Sequence, residues 1–272
     1  MGASSELKVR LLEALRKAAY PSYLEPPRLA GLLAALEASL TPVIAGFSVD
    51  GESALGSSRF GGQPDFPADV EWPCSARDGD PLAFVCQIEL AELAGMDPEG
   101  RLPARGLWSL FSSCDSDAAY GGEIDDETTA IVYLPDPPAL APRAFPATLP
   151  AAGRLEAKPL RFAPSLICQT FDAPRNRYDD ARFDGAIEKA MREALIALGS
   201  HTPEVRVLAN APFFQRDIAE LYDPAREIEL IGFPGVIASR QWGEGEFHVV
   251  IERDALAKHE LGAARVLFEP GT

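Results

Sequence analysis

The chain has 272 residues, of which 47% are hydrophobic and 24% are charged, and its formal net charge is −16. This is the composition of a globular protein that is large enough to bury a core without a metal or disulfide staple. Because the excess negative charge repels nucleic-acid phosphate and anionic lipid, we expect neither nucleic-acid nor membrane-surface binding. The same charge favours a basic partner, although acidity also serves solubility alone.

The cysteines and the first residues bear on the cellular compartment. Cysteines that form no Cys-x-x-Cys pair, together with only three histidines, predict free thiols and no zinc site. The first twenty residues carry charges throughout, and no run approaches the ~20 apolar residues of a membrane span. We therefore expect a cytoplasmic protein without a signal peptide or a cofactor. The cysteines are Cys74, Cys86, Cys114 and Cys168.

Leucine periodicity predicts two helices at the start of the chain, over residues 5–20 and 27–40, the first of them ended by Pro21. A longer helix is predicted over residues 183–199, with Gly199 as its stop. Short helices are predicted at 90–96 and near Asp254. Core packing is the expected role of the two N-terminal helices.

From Pro42 onward the pattern changes to short β-branched and aromatic runs separated by Gly, Pro and Asp clusters. Such runs without regular intervening helices favour an antiparallel sheet over a doubly wound fold. The predicted fold is therefore α+β and mainly antiparallel β, roll-like, with peripheral helices. The predicted strands are 43–49, 81–88, 106–113, 128–135, 228–233, 246–252 and 264–269.

The domain organisation is predicted to be one domain over residues 1–272. Its parts are an N-terminal helical segment, a first β lobe, a proline-rich connection and a second β lobe, over residues 1–41, 42–134, 135–150 and 151–272. The proline-rich run is either an interdomain linker or a surface connection within one domain. We favour the connection because the strand patterns on its two sides are each incomplete. Two similar lobes are the alternative to a single compact body.

The stretch "SSRFGGQPDFPADVEWP", residues 57–73, is predicted to be a rigid ribbon. Gly61 and Gly62 permit backbone angles closed to other residues, and the prolines that follow fix an extended course. Trp72 ends the run as an aromatic anchor. No Gly-Lys-Ser/Thr follows, so this is not a phosphate loop.

The order of motifs resembles one known family. The Gly-Gly-x-Pro-x-x-Pro motif is followed by Trp-Pro, a Phe-x-x-Gln-Ile strand and Leu-Pro-x-x-Gly, and later by Pro-x-x-Gln and Trp-Gly segments. This order of motifs is similar to that of the YwqG-like family, which comprises bacterial proteins classed under a domain of unknown function. The resemblance implies a roll-like antiparallel architecture without an established activity; the acidic position of the last motif is Glu244 where the family has Asp. The matching residues are Gly61, Gly62, Pro64, Pro67, Trp72, Pro73, Phe84, Gln87, Ile88, Leu102, Pro103, Gly106, Phe111, Pro212, Gln215, Trp242 and Gly243.

Five residues form a candidate ligand pocket, because two glutamines and two tryptophans can hydrogen-bond and stack a small polar molecule. They are Trp72, Gln87, Gln215, Trp242 and Glu244. The alternative is that each glutamine bonds loop backbone and each tryptophan fills the core. Most buried side-chain hydrogen bonds go to backbone or water, which favours the alternative.

The acidic loop over residues 114–128 offers weak cation ligands, Asp115, Asp117, Asp125 and Asp126, but lacks the EF-hand pattern. A solvated connection is the favoured interpretation, and no metal is expected. Of the histidines, His248 alternates with Phe247 and Val249 and so points away from them. No nucleophile signature accompanies any histidine, and we assign no catalytic residue.

The favoured function is therefore a non-catalytic cytoplasmic binding protein that engages a basic protein partner, as an immunity or antitoxin protein does. The alternative is a small-molecule-binding protein or hydrolase with its pocket between the Trp72 and Trp242 segments. The sequence leaves the oligomeric state open.

Overall fold

A computed structural model describes residues 3–97, 99–114, 124–137, 139–168, 185–198, 203–209 and 220–270. Within these residues, ten strands form one antiparallel sheet in the order β12-β11-β10-β9-β1-β8-β2-β4-β5-β6, and β3 pairs with β7 in a small second sheet. The predicted α+β, mainly antiparallel β fold is confirmed. The strands are β1 Leu40–Ser48, β2 Arg59–Phe60, β3 Asp65–Phe66, β4 Ala83–Glu89, β5 Leu107–Ser112, β6 Thr129–Leu134, β7 Ala141–Pro142, β8 Lys158–Cys168, β9 Val205–Ala209, β10 Glu227–Pro234, β11 Glu246–Glu252 and β12 Arg265–Glu269.

Four of the five α-helices in the described residues lie at predicted places, and the short helix Gly235–Ala238 was not predicted. The helices are α1 Ala3–Lys17, α2 Pro26–Ser39, α3 Gly185–Ala197, α4 Gly235–Ala238 and α5 Arg253–Ala257, and the predicted helix at 90–96 is a single 3₁₀ turn, Leu90–Glu92. The longer helices bury their leucines against the start of β1 and the end of β8, where Leu11, Leu36 and Leu166 share a core cluster. Core packing of the N-terminal helices thus explains their leucine stripes.

The middle of the sheet is the long pair β1 and β8, aligned from Leu40 opposite Cys168 to Ser48 opposite Leu160. On the other side of β1 lies β9. Neither β8 nor β9 was among the predicted strands. The two prolines of β8, Pro159 and Pro164, and the charged Arg206 within β9 interrupt the apolar patterns by which strands are recognised.

The sheet curls until its two halves enclose a shared core and form a nearly closed, barrel-like wall. Phe60 of β2 packs edge-on against Phe233 of β10, with ring centroids 5.1 Å apart. Across the same interior the indole N–H of Trp242 donates to the carbonyl oxygen of Ser113 at 3.1 Å. The core is therefore built by residues from both halves of the sheet.

The proline-rich run touches the ribbon of residues 57–73. Arg143 donates its backbone N–H to the carbonyl of Pro64 and its guanidinium to the carbonyl of Ala68. Gly61 and Gly62 have φ of 55° and 73°, and a Cβ at Gly61 would overlap the carbonyl oxygen of Glu156. The division of the chain into two lobes stays a prediction.

Cys74, Cys86 and Cys114 are free thiols, and the side chain of Cys168 lies outside the described residues. Burial raises the pKa of Cys86 well above its usual range. Of the helices in the described ranges, none has the length and apolar character required to span a bilayer.

Candidate functional site

The second half of the sheet carries a cluster of charged side chains in its buried layer. Strand alternation produces it: on β11, Phe247 and Val249 join the main core, and Glu246 and His248 point the other way. The neighbouring strands add one side chain each to this face. The charged cluster comprises Arg206, Glu229, Glu246, His248 and Glu269.

Arg206 and His248 meet on the carboxylate of Glu229. Arg206 makes a bidentate pair with it, Nε to Oε2 at 3.1 Å and Nη2 to Oε1 at 3.0 Å, and also lies 2.5 Å from Glu246 Oε1. His248 Nδ1 lies 2.7 Å from Glu229 Oε1, and its Nε2 lies 3.7 Å from Glu269 Oε2. Glu229 and His248 are 0% exposed. Such a buried network holds its members in fixed orientations.

The pKa values in the cluster are set by opposing effects. Burial raises the pKa of Glu229, but Arg206 and His248 outweigh it and lower that pKa to about 2. Burial lowers the pKa of His248, whereas its contacts with Glu229 and Glu269 raise it, and the net shift is upward. The attraction of these carboxylates for a positive charge at the imidazole therefore exceeds the cost of burying it.

Gly232 makes room for this cluster. It lies on β10 opposite both Arg206 and His248, just after a bulge in the pairing of β10 with β11. A Cβ at this position would overlap Glu229 Oε1 and Arg206 Nη2. The glycine is thus needed for space, since its own φ lies outside the left-handed region.

The cluster also contains one group of potential metal ligands. Glu246, His248 and Glu269 each present a ligand atom, and these atoms all lie within 4.8 Å of one another; no other such group occurs among the described residues. A nitrogen and two carboxylate oxygens can bind a divalent cation, and the same groups can relay a proton.

The candidate pocket residue Gln87 is buried in a different place, on β4. Its Oε1 accepts from the backbone N–H of Asp65 at 3.1 Å, and its Nε2 donates to Ser57 O at 2.8 Å and to Asp65 Oδ2 at 3.0 Å. Asp65 also pairs with Arg59 at 2.7 Å. Both N–H groups of the amide are therefore engaged inside the protein, which favours a structural role for Gln87.

The two tryptophans of the candidate pocket lie in separate core clusters. Trp72 is half-buried against Phe111 and donates its indole N–H to Leu82 O at 2.9 Å. Trp242 is fully buried in the main core. Glu244 is exposed, and Gln215, like Pro212, lies outside the described residues. A pocket formed by these five residues stays a prediction.

The glycines of the motifs act at turns and close approaches. Gly106, with φ 126°, lies before β5, where a Cβ would press on Leu134 O. Gly243, with φ 55°, closes the turn after Trp242 by donating its N–H to Arg240 O. These positions explain the spacing of the motifs without a ligand.

An acidic surface is formed by two segments around Trp72. The carboxylates of residues 69–80 and 125–127 are exposed or half-exposed, and the one basic residue of these segments is Arg77. Arg77 joins the segments by pairing with Asp125 at 2.6 Å and Glu127 at 3.3 Å. The acidic surface comprises Asp69, Glu71, Asp78, Asp80, Asp125, Asp126 and Glu127.

Of the four predicted cation ligands of the acidic loop, two lie within the described residues. Asp125 uses Oδ1 to accept from the backbone N–H groups of Glu127 and Thr128, which caps the turn before β6. Asp126 is exposed beside it. Asp115 and Asp117 lie outside the described residues.

Four members of the charged cluster were not singled out from the sequence: Arg206, Glu229, Glu246 and Glu269. The available signal was a charged residue within or at the end of an apolar strand, as in "IELIGF" and "VLFE". Of the cluster, His248 alone was predicted to point away from the core residues that flank it, and it does.

Comparison with known proteins gives one family. Residues 58–268 match the family described as a domain of unknown function (DUF1963). A search of curated proteins found no match.

Proposed function

The chain belongs to the family described as a domain of unknown function (DUF1963). For this member we propose the function of a non-catalytic binding protein whose acidic surface engages a basic protein partner. The observation that carries the proposal is the joining of two acidic segments by Arg77 around a half-buried tryptophan. Seven carboxylates and one guanidinium give this surface a net charge of −6, which attracts an oppositely charged protein and steers its approach.

The surface is held rigidly, as a recognition surface requires. Ser75 and Asp80 are joined across a tight turn by a backbone hydrogen bond of 2.8 Å, and Ala76 donates its N–H to Glu127 O at 2.8 Å. Trp72 anchors the base of this turn through Leu82. Because little ordering is needed on binding, more of the contact energy remains as affinity.

Elsewhere on the protein, three arginines pair with carboxylates. Arg265 binds Glu227 at 2.8 Å, Arg226 binds Glu252 at 2.9 Å, and Arg16 binds Glu37 at 3.2 Å. These pairs reduce the positive potential that would otherwise offset the acidic surface. Each pair removes one positive and one negative charge, so the net charge of −16 is unchanged by them.

We infer a YwqG-like protein of the bacterial cytoplasm that binds a basic toxic enzyme and neutralises it, as an immunity protein does. The motif order supports the YwqG-like assignment and the free thiols support the cytoplasm, whereas the immunity role rests on the acidic surface alone. The alternative, a small-molecule site between the Trp72 and Trp242 segments, gains no support from Gln87, whose amide hydrogens are already used.

The test is affinity purification of the tagged protein from its native cell at low and at moderate salt, with mass spectrometry of what co-elutes. We expect a near-stoichiometric basic protein that is lost as salt rises, because surface charge attraction is screened within about 10 Å at 0.1 M ionic strength. The decisive variant neutralises four carboxylates of the acidic surface: Asp69→Asn, Glu71→Gln, Asp78→Asn and Asp80→Asn.

The matched control neutralises four exposed carboxylates on other parts of the chain: Glu13→Gln, Asp50→Asn, Glu52→Gln and Asp254→Asn. Both variants change the net charge equally. Loss of the partner only in the first variant supports the proposal. Equal loss in both, or no partner with the unaltered protein, would contradict it.

A further inference from the structure

We propose that Glu246, His248 and Glu269 bind one divalent first-row transition-metal ion in the charged cluster at the β11–β12 end of the sheet. This site is separate from the acidic surface of the proposed function and does not depend on it. It would give the second half of the sheet a resident ion.

The distances suit a single ion. Two ligands that each lie ~2.1 Å from a common ion can be at most ~4.2 Å apart. His248 Nε2 and Glu269 Oε2 are 3.7 Å apart, which fits this limit without movement. The three ligand atoms lie within 4.8 Å of one another, so a small rotation of Glu246, whose Oε1 also pairs with Arg206, completes the set.

The imidazole is already oriented as a metal ligand. His248 Nδ1 is 2.7 Å from Glu229 Oε1, so this carboxylate fixes the ring and directs Nε2 toward Glu269. A carboxylate partner on the far ring nitrogen is the common second contact of metal-binding histidines, and it raises the basicity of the ligating nitrogen. Glu229 in turn is held by Arg206.

Charge and strand register favour a cation at the same point. Glu246 of β11 lies directly opposite Glu269 of β12, and like charges in such a cross-strand pair repel each other. With a neutral imidazole, the described side chains of the cluster carry three carboxylates and one guanidinium. A divalent ion between Glu246 and Glu269 would balance the two remaining negative charges and replace the repulsion by coordination.

The donor set selects the class of ion. One imidazole nitrogen and two carboxylate oxygens suit Zn²⁺, Mn²⁺ or Fe²⁺, whereas Ca²⁺ and Mg²⁺ prefer oxygen ligands alone. At any pH at which His248 is protonated, metal binding would release one proton, because the ion takes the place of the proton on Nε2.

The test begins with protein dialysed against a chelator, then equilibrated with Zn²⁺ or Mn²⁺ and passed through a desalting column. We expect about one retained ion per chain by mass spectrometry of the metal, and a higher melting temperature, because an ion that binds the folded state stabilises it. His248→Gln and Glu269→Gln should each weaken binding by about tenfold or more. Glu252→Gln, on the same strand but exposed and paired with Arg226, is the matched control and should bind as the unaltered protein does.

A second measurement on the unaltered protein covers the case in which the variants fail to fold. With Co²⁺ bound, the Nδ1 proton of a ligating His248 should appear as a strongly shifted, slowly exchanging NMR signal, because Glu229 shields it from water. No retained ion, no such signal, or equal binding by a folded His248→Gln variant would each overturn the proposal.

Discussion

Gln87 is the residue whose replacement best separates a structural from a ligand-binding role. Gln87→Ala removes the acceptor of the Asp65 backbone N–H and two amide donors, one of which serves the Asp65 carboxylate. A buried N–H left without its acceptor costs about 1–3 kcal/mol, and a hydrogen bond to a charged group contributes about 1.5–3 kcal/mol. The carbonyl oxygen of Ser57 still accepts from Arg59, so loss of its hydrogen bond with Gln87 adds little to the cost. We expect the variant to be destabilised by roughly 3–5 kcal/mol.

The assay is urea unfolding followed by circular dichroism, with the free energy of unfolding obtained by linear extrapolation. Gln63→Ala is the matched control, because Gln63 is exposed and contributes its backbone carbonyl, not its side chain, to Arg59. It should change stability by no more than about 0.5 kcal/mol. If Gln87→Ala were also within that range, the structural role inferred for Gln87 would be refuted, and a ligand-binding role would regain support.

Three further predictions concern packing. Trp242→Ala should destabilise the protein by about 3–5 kcal/mol and Trp72→Ala by roughly half as much, because the first ring is fully buried and the second only half-buried. Urea unfolding measures both free energies, and equal losses would contradict this difference in burial. Gly232→Ala should lower the melting temperature sharply, because its Cβ would overlap the buried ion pair of Arg206 and Glu229. Gly31→Ala, in open space on α2, should instead stabilise the protein by about 0.5–1 kcal/mol, and a loss of stability would contradict the open surroundings of this residue.

Much of the fold could be predicted because its strands are short apolar runs bounded by turn residues. β4, β5, β6, β10, β11 and β12 are all of this kind. Five strands were not predicted: β2, β3 and β7, which have two residues each, and β8 and β9, which hold the centre of the sheet. In β8, Pro164 lies opposite Ile44 and Pro159 lies opposite Arg59. Because proline has no backbone N–H to donate, the sequence alone argues against a central strand here. The register shows that the residues beside each proline maintain the pairing.

The candidate site was harder to predict because its members come from four strands. Glu229 and His248 are 19 residues apart, and Arg206 and Glu269 are more distant still in the chain. An isolated glutamate in an apolar strand is a visible anomaly, but its partner depends on register. The family motifs, in contrast, point to glycines and to Gln87, which shape turns and loops rather than a cluster of reactive groups.

The position of β1 has a consequence for synthesis. β1 pairs with β8 from Leu40 opposite Cys168 onward, and then with β9. At the usual ribosomal rate of about 5–20 residues per second, the strand must wait roughly 6–25 s after it is made before its first partner is translated. During that time a largely apolar strand has unpaired edges, a template for pairing with another chain. α1 and α2, made just before β1, can form at once from local contacts, and they can cover the Leu40 end of β1, although its edges stay unpaired until β8 and β9 are made.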